Sequence, residues 1–361
     1  MSKVTFETGL EQALISAAED SENAAGFLEQ YKQTKRYLEN EMYPWVQSNC
    51  SWYTDHGEQH ITAVMNQASR LLKNELRDLD EGDLNELDLF ILLTGILWHD
   101  VGMIIDRSEH ERISTEVNSR FRDIAFPSTS IKATTDDIIK GHRHQAGLNI
   151  PKKSATFNIK GGVYKIYPKS LAGILRFADE ISETQERVSG DTWVRETVPE
   201  ESEIFWRYAE TIQGCHPHLN AKAINLNIEV SFERATEMYP CPGSFEERRN
   251  ENGEISLIEY IICRLEKLVN ELSYCERYFN RYAEIREANV EITIRDDSNN
   301  IIKEINETLA AAGLTTKGNY PNINIYDEFF EEYSEWKPHQ LPESDQIDTA
   351  GSGLPHGGKG Q

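Results

Sequence analysis

Apolar residues recur at helical intervals, with polar breaks between segments, from the start of the chain to about Arg187, which predicts an all-α region. A helix is expected over Leu10 to Ala18, then a longer one from Ala24 to about Val46 whose register Pro44 loosens. Asp55 and Glu58 have capping-box spacing, so a further helix should run through His60, Val64, Ala68 and Leu71, with His56 on the same face as His60. The segment LDLFILLTGILWHD is apolar on nearly every side, the mark of a core helix. Thr134 with Asp137 is expected to open a helix carrying IIKGHRH, and Ser170 to precede one over LAGILRFADEISETQER. Between them, alternating residues around Gly161 and Gly162 predict a hairpin, placed to act as a lid.

After Gly190 the period changes. INLNIEVSF alternates strictly and reads as a half-buried strand. Trp206, Arg207 and Tyr208 read as part of a strand and CHPH as a loop. A helix from about Leu257 to Ala288 follows, then NVEITIR as a strand, a helix from Ile301 to Ala312, and a short strand at INIYD. The expected class is therefore mainly α, a helical core followed by a small α+β domain and a flexible acidic and Gly-rich tail. The expected boundaries are 1–190 for the helical domain (N-terminal helices 1–50, core 51–188), 191–330 for the α+β domain, and 331–361 for the tail.

Composition narrows the partners. The 361 residues carry 37 Lys plus Arg against 61 Asp plus Glu, a net charge of -24, which disfavours nucleic-acid polymers and anionic membranes. A small nucleotide held in a local pocket is still compatible with that charge, and the α+β domain leaves room for a homo-oligomer or a protein partner. The longest apolar run, Leu87 to Trp98, falls short of the roughly 20 residues of a spanning helix. No signal peptide is visible and the five cysteines form no CxxC pair, so a cytoplasmic protein with free thiols is expected.

Against this background the placement of His and Asp stands out. His60, the dipeptide His99-Asp100, His110, His142 with His144, and Asp179 sit at ends or exposed turns of otherwise apolar helices. Imidazole and carboxylate together suit borderline and hard divalent cations, and an unpaired carboxylate against a core carries a desolvation penalty of several kcal/mol that a cation offsets. His56 is read as a helix-start residue bonded to backbone.

The ordered set TDHGEQH, LWHDVGM and LRFADEIS, spanning Tyr53 to Glu186, resembles the HD-domain superfamily of metal-dependent phosphohydrolases. The continuation DHGEQH and the strand-rich second half are similar to HD modules of bacterial conflict systems. The resemblance implies an all-α fold in which His60, His99, Asp100 and Asp179 hold one divalent ion. His110, His142 and His144 fall where some members bind a second ion or substrate phosphate. It thus implies one or two ions, with Mn, Mg, Co, Ni, Fe and Zn not distinguished. Asp100 is expected to hold or bridge metal, His142 to join the ligands, and His110 or His144 to act as general acid or oxyanion stabiliser. Arg107, Arg112, Lys140, Arg143 and Arg176, close in sequence to these groups, are the expected phosphate contacts.

The expected activity is hydrolysis of a phosphoester or phosphoanhydride of a nucleotide or related small phosphate by metal-activated water. The alternatives are a nucleotide-sensing module with little turnover and, less favoured, a di-iron oxygenase.

Overall fold

The computed structural model of the protein describes residues 8–311, apart from 50–53, 55, 78, 80–81, 107–108, 120–125, 143–147, 149, 151–153 and 189–197. The expected strand at INIYD and the expected tail lie outside the described residues.

The chain is mainly α, with a helical region followed by a smaller sheet-containing α+β region. The helices that build the first region are α1 (Gly9–Asp20), α2 (Glu22–Tyr37), α3 (Tyr43–Asn49), α4 (Glu58–Leu71), α5 (Glu86–Trp98), α6 (His110–Asn118), α7 (Thr129–Gly141) and α8 (Pro168–Glu180). At the centre lies α5, whose residues are buried on all sides and whose start is fixed by a capping box between Asn85 and Asp88. Its continuation makes Glu86–Ile104 a 19-residue apolar stretch, 94% buried within the protein, which is the packing of a core helix.

Pro44 acts as expected, though the effect precedes it. One π-helical turn, Leu38–Met42, joins α2 to α3, the accommodation a missing N–H and a clashing ring impose on the i→i−4 ladder. Three other boundaries differ from expectation. The N-cap of α4 is Gly57 and not Asp55. Ser128, not Thr134, caps α7 by accepting from the Ile131 N–H. Helix α8 stops at Glu180, where the Ser182 hydroxyl turns back to donate to the Asp179 carbonyl. That early stop leaves Asp179 in a helix end instead of mid-helix.

The hairpin pairs β1 (Ala155–Ile159) with β2 (Gly162–Ile166) around Lys160 and Gly161, both at positive φ. It is not a lid. Asn23 donates to the Ile159 carbonyl and Asn85 to the Lys165 carbonyl, so the hairpin packs at the N-terminal end of α5. His99 sits at the other end of that helix, about 20 Å away at 1.5 Å per residue.

In the second region α9 (Glu200–Thr211) leads into a sheet of order β3-β4-β7-β8, with β3 (Ile212–His218), β4 (Ala223–Ser231), β7 (Glu287–Arg295) and β8 (Ile301–Ala310). Only β4 and β7 are parallel, and their crossover holds α10 (Phe232–Thr236), the short pair β5 (Met238–Pro240) and β6 (Glu254–Ser256), and α11 (Leu257–Phe279). Strand β4 alternates as expected, burying Ile224, Leu226, Ile228 and Val230. Trp206–Tyr208 lie in a helix, α9, and CHPH lies in a strand, β3, both contrary to expectation. The expected helix from Ile301 is strand β8, paired with β7 along its length. The Asp296 carboxylate, accepting from the Ser298 and Asn300 N–H groups, and Asn299 at positive φ close that hairpin.

One apolar core cluster includes residues of both regions. Helix α11 packs along α8, with the Phe177 and Phe279 rings stacked at 5.5 Å. This packing brings α11 against the helix that carries Asp179.

Candidate metal centre

Five helix ends converge on one point. The first turn of α4 supplies His60, the residue after α5 is His99, α6 begins at His110, the C-cap of α7 is His142, and Asp179 is the penultimate residue of α8. Asp100 opens the 3-10 turn Val101–Ile104 that follows α5. Gly102 allows α6 to dock on this turn, because a Cβ there would run into the His110 carbonyl well inside van der Waals contact and stand 2.8 Å from the Ser114 nitrogen. The Ser114 hydroxyl accepts from the Gly102 N–H at 2.7 Å and donates to the His99 carbonyl at 2.8 Å. Gly102→Ala should therefore cost on the order of 3 kcal/mol, read as a lowered urea midpoint at unchanged slope. An unchanged midpoint would mean that the turn and α6 are not locked together.

The two oxygens of Asp100 face different partners. Oδ2 lies 2.9 Å from His56 Nδ1, 3.3 Å from His60 Nε2 and 3.3 Å from His99 Nε2. Oδ1 lies 3.4 Å from His110 Nε2 and 3.8 Å from His142 Nε2. Asp179 Oδ1 completes the first set, 3.2 Å from His60 Nε2. Within the sets, ring nitrogens face ring nitrogens: His60 Nε2 and His99 Nε2 at 3.3 Å, His110 Nε2 and His142 Nε2 at 3.0 Å. His99 and His142 each direct Nδ1 at the carbonyl three residues earlier, Ile96 and Ile139, which assigns a proton to Nδ1 and turns Nε2 inward.

The electrostatics match ligands awaiting a cation. Burial pushes His56 and His142 down to about 4, so both are neutral at pH 7. Burial alone would drive the carboxyls up, but the surrounding imidazoles more than reverse it and hold Asp100 and Asp179 well below the usual carboxylate range. Burial pulls His99 down, yet Asp100 and Asp179 outweigh it and raise its imidazole well above the ordinary value. Ionised carboxylates among inward ring nitrogens attract positive charge, which the His99 proton supplies and a cation could supply in its place. Three overlapping triads, His56–His60–Asp100, His60–His99–Asp179 and Asp100–His110–His142, have donor atoms within 4.8 Å of one another, a donor set that suits a divalent metal.

The structure thus gathers His60, His99, Asp100, His110, His142 and Asp179. Arg107, Arg143 and His144 lie outside the described residues. Arg112 and Lys140 are not brought to the centre: Arg112 is exposed and bound by Glu109 and Glu116, and Lys140 is exposed on α7. Arg176 reaches the cavity wall, but the Glu271 carboxylate takes its Nε at 2.7 Å and its Nη2 at 2.9 Å.

Sequence reasoning missed the role of His56, whose side chain bonds to Asp100, although its spacing of four from His60 was a signal. It also missed the far wall of the cavity, which has a volume of about 260 Å³. Phe205 of α9 and Arg264, Lys267 and Glu271 of α11 form that wall, with Arg187, Glu180 and Glu183 at its edge. The Arg264 guanidinium lies 5.0 Å above the Tyr208 ring and 3.3 Å from Glu180, which Lys267 also contacts at 2.5 Å.

Residues 51–149 match the model of the HD-CE family, an HD-type family. Neither the curated proteins nor the solved structures include a match to the chain. The matched segment holds His56, His60, His99, Asp100, His110 and His142, whereas Asp179 and the α9–α11 wall lie beyond it.

Proposed function

We propose, with the HD-type domain of residues 51–149 as premise, that the protein is a metal-dependent hydrolase of a phosphoester or phosphoanhydride in a nucleotide or related small phosphate. The observation that carries this reading is the division of Asp100, one oxygen toward His56, His60 and His99 and the other toward His110 and His142. That is the arrangement of a carboxylate placed between two cation positions. His60, His99, Asp100 and Asp179 would hold one divalent ion, and Asp100, His110 and His142 a second. Such an ion supplies a water of lowered pKa and neutralises phosphoryl oxygens.

The chain's own residues do the rest. Among the described residues, five carboxylates and four Arg or Lys side chains line the cavity, a fixed charge unfavourable to a phosphate that bound cations would reverse. Lys267 and Arg264, held by Glu180 in the cavity wall, can exchange that carboxylate for the non-reacting phosphates. These two, rather than Arg112 or Lys140, are the basic groups positioned for substrate. With only the first ion bound, His110, part-exposed in the cavity wall, would be placed to donate a proton to the leaving oxygen; with the second ion bound it would be a ligand instead.

The test is a nucleotide panel incubated with the purified protein and Mn, Mg, Co or Ni. Release of phosphate or pyrophosphate is the expected result, with metal content of one or two ions per chain by elemental analysis. Tight nucleotide binding with no product over hours would overturn hydrolysis in favour of a sensing module.

A further inference from the structure

A second cavity, this one basic, lies one helix away from the metal centre. Helix α4 carries His60 in its first turn and Arg70 in its last, ten residues or about 15 Å further on. Arg70 is followed by Lys73 and Arg77 in the turns after the helix, and β3 with the turn beyond it presents His216 and His218 opposite them. Together with Asn74, these line a surface cavity of about 370 Å³ that, among the described residues, has no carboxylate in its lining. Among the described residues, no Asp or Glu forms an ion pair with Arg70, Lys73 or Arg77. On a chain of net charge -24, such a concentration of cations, with no ion-pair partner among the described residues, makes a local site of opposite sign.

The cavity is also held in shape. Gln67 ties α4 to β3, its Nε2 donating to the Cys215 carbonyl at 2.7 Å and the Ile181 carbonyl at 2.9 Å. Its Oε1 accepts from Arg70 Nη1 at 3.4 Å, and the same nitrogen donates to His216 Nδ1 at 2.6 Å. Gly214 leaves room for the His216 ring, since a Cβ there would stand 3.1 Å from Nε2. Partial burial and the neighbouring Arg70 push the His216 imidazole down, as expected of a base in a positive field. A guanidinium fixed before the ligand arrives loses little freedom on binding.

We propose that this cavity is an anion site distinct from the metal centre, taking the adjacent phosphates of a small polyphosphate compound through Arg70, Lys73 and Arg77. Adjacent phosphates suit it better than one, because the three cations are spread over two turns of chain and each can meet a separate oxygen group. The proposal does not depend on hydrolysis at the other cavity.

Calorimetric titration of the full chain with inorganic pyrophosphate, in low salt with EDTA so that no divalent ion assists the metal centre, tests it. One pyrophosphate per chain is expected. The exposed double substitution Lys73→Gln with Arg77→Gln should weaken binding at least about tenfold at an unchanged melting temperature. Lys267→Gln, in the other cavity, should leave the affinity unaltered. A nucleoside triphosphate titrated in parallel distinguishes the source: tighter binding than pyrophosphate identifies a nucleotide, equal binding a free polyphosphate. No binding heat, an affinity unmoved by the double substitution, or weakening by Lys267→Gln would overturn the assignment.

Discussion

Asp100→Ala is expected to abolish hydrolysis and to lower bound metal. The loss in rate should be at least about a thousandfold, the roughly 4 kcal/mol that activation of water and neutralisation of phosphoryl charge jointly supply. Asp100 is the only residue common to the two proposed cation positions, and its carboxylate faces five imidazoles. Removing it should therefore affect both positions together, whereas His142→Ala should spare the position built on His60, His99 and Asp179. The measurement is metal per chain beside product formation for the two variants. Retained turnover in Asp100→Ala would remove this cluster from the reaction.

The second large effect concerns stability. Arg176 and Glu271, both almost fully buried, join α8 to α11 through two hydrogen bonds, and Arg176 also lies 4.7 Å over the Tyr274 ring. Glu271→Ala would leave a guanidinium in the core without its counter-charge and should cost about 3–5 kcal/mol in denaturant unfolding. Replacing both partners, Arg176→Met with Glu271→Leu, should recover most of that loss, because the penalty comes from the orphaned charge more than from the missing pair. If the double variant is as unstable as the single one, the pair is contributing shape that the apolar residues cannot reproduce.

The sequence revealed the ligand helices because a His or Asp ending an apolar helix contradicts the rest of that helix. His99 and Asp100 follow the core helix α5, and Asp179 ends the apolar stripe of α8. His56 was obscured by its position beside Asp55 and Glu58, whose spacing imitates a capping box, while the actual N-cap is Gly57. The helix expected from Ile301 failed for a related reason. Ile301, Ile305 and Leu309 recur every four residues, a helical interval that an edge strand also permits when little of it is buried. The turn residues DDSNN before it carried the correct signal. Nothing local marked Arg264 and Lys267. Their place over the centre comes from α11 packing on α8, a contact between segments about 90 residues apart that no short-range pattern encodes.

The convergence of helix ends at the centre has a consequence for how the protein comes into being. His60, Asp100, His142 and Asp179 are far apart in the chain, and the wall that covers them arrives with α11, later still. Closing such long loops is entropically costly and slow, and the return on that cost comes only when the last segment docks. During synthesis, an emerging chain lacks the complete donor set until Asp179 has left the ribosome. Capture of the proposed metal at the position that includes Asp179 would consequently be a late event in biogenesis, a final lock on an assembled chain instead of a seed around which it folds.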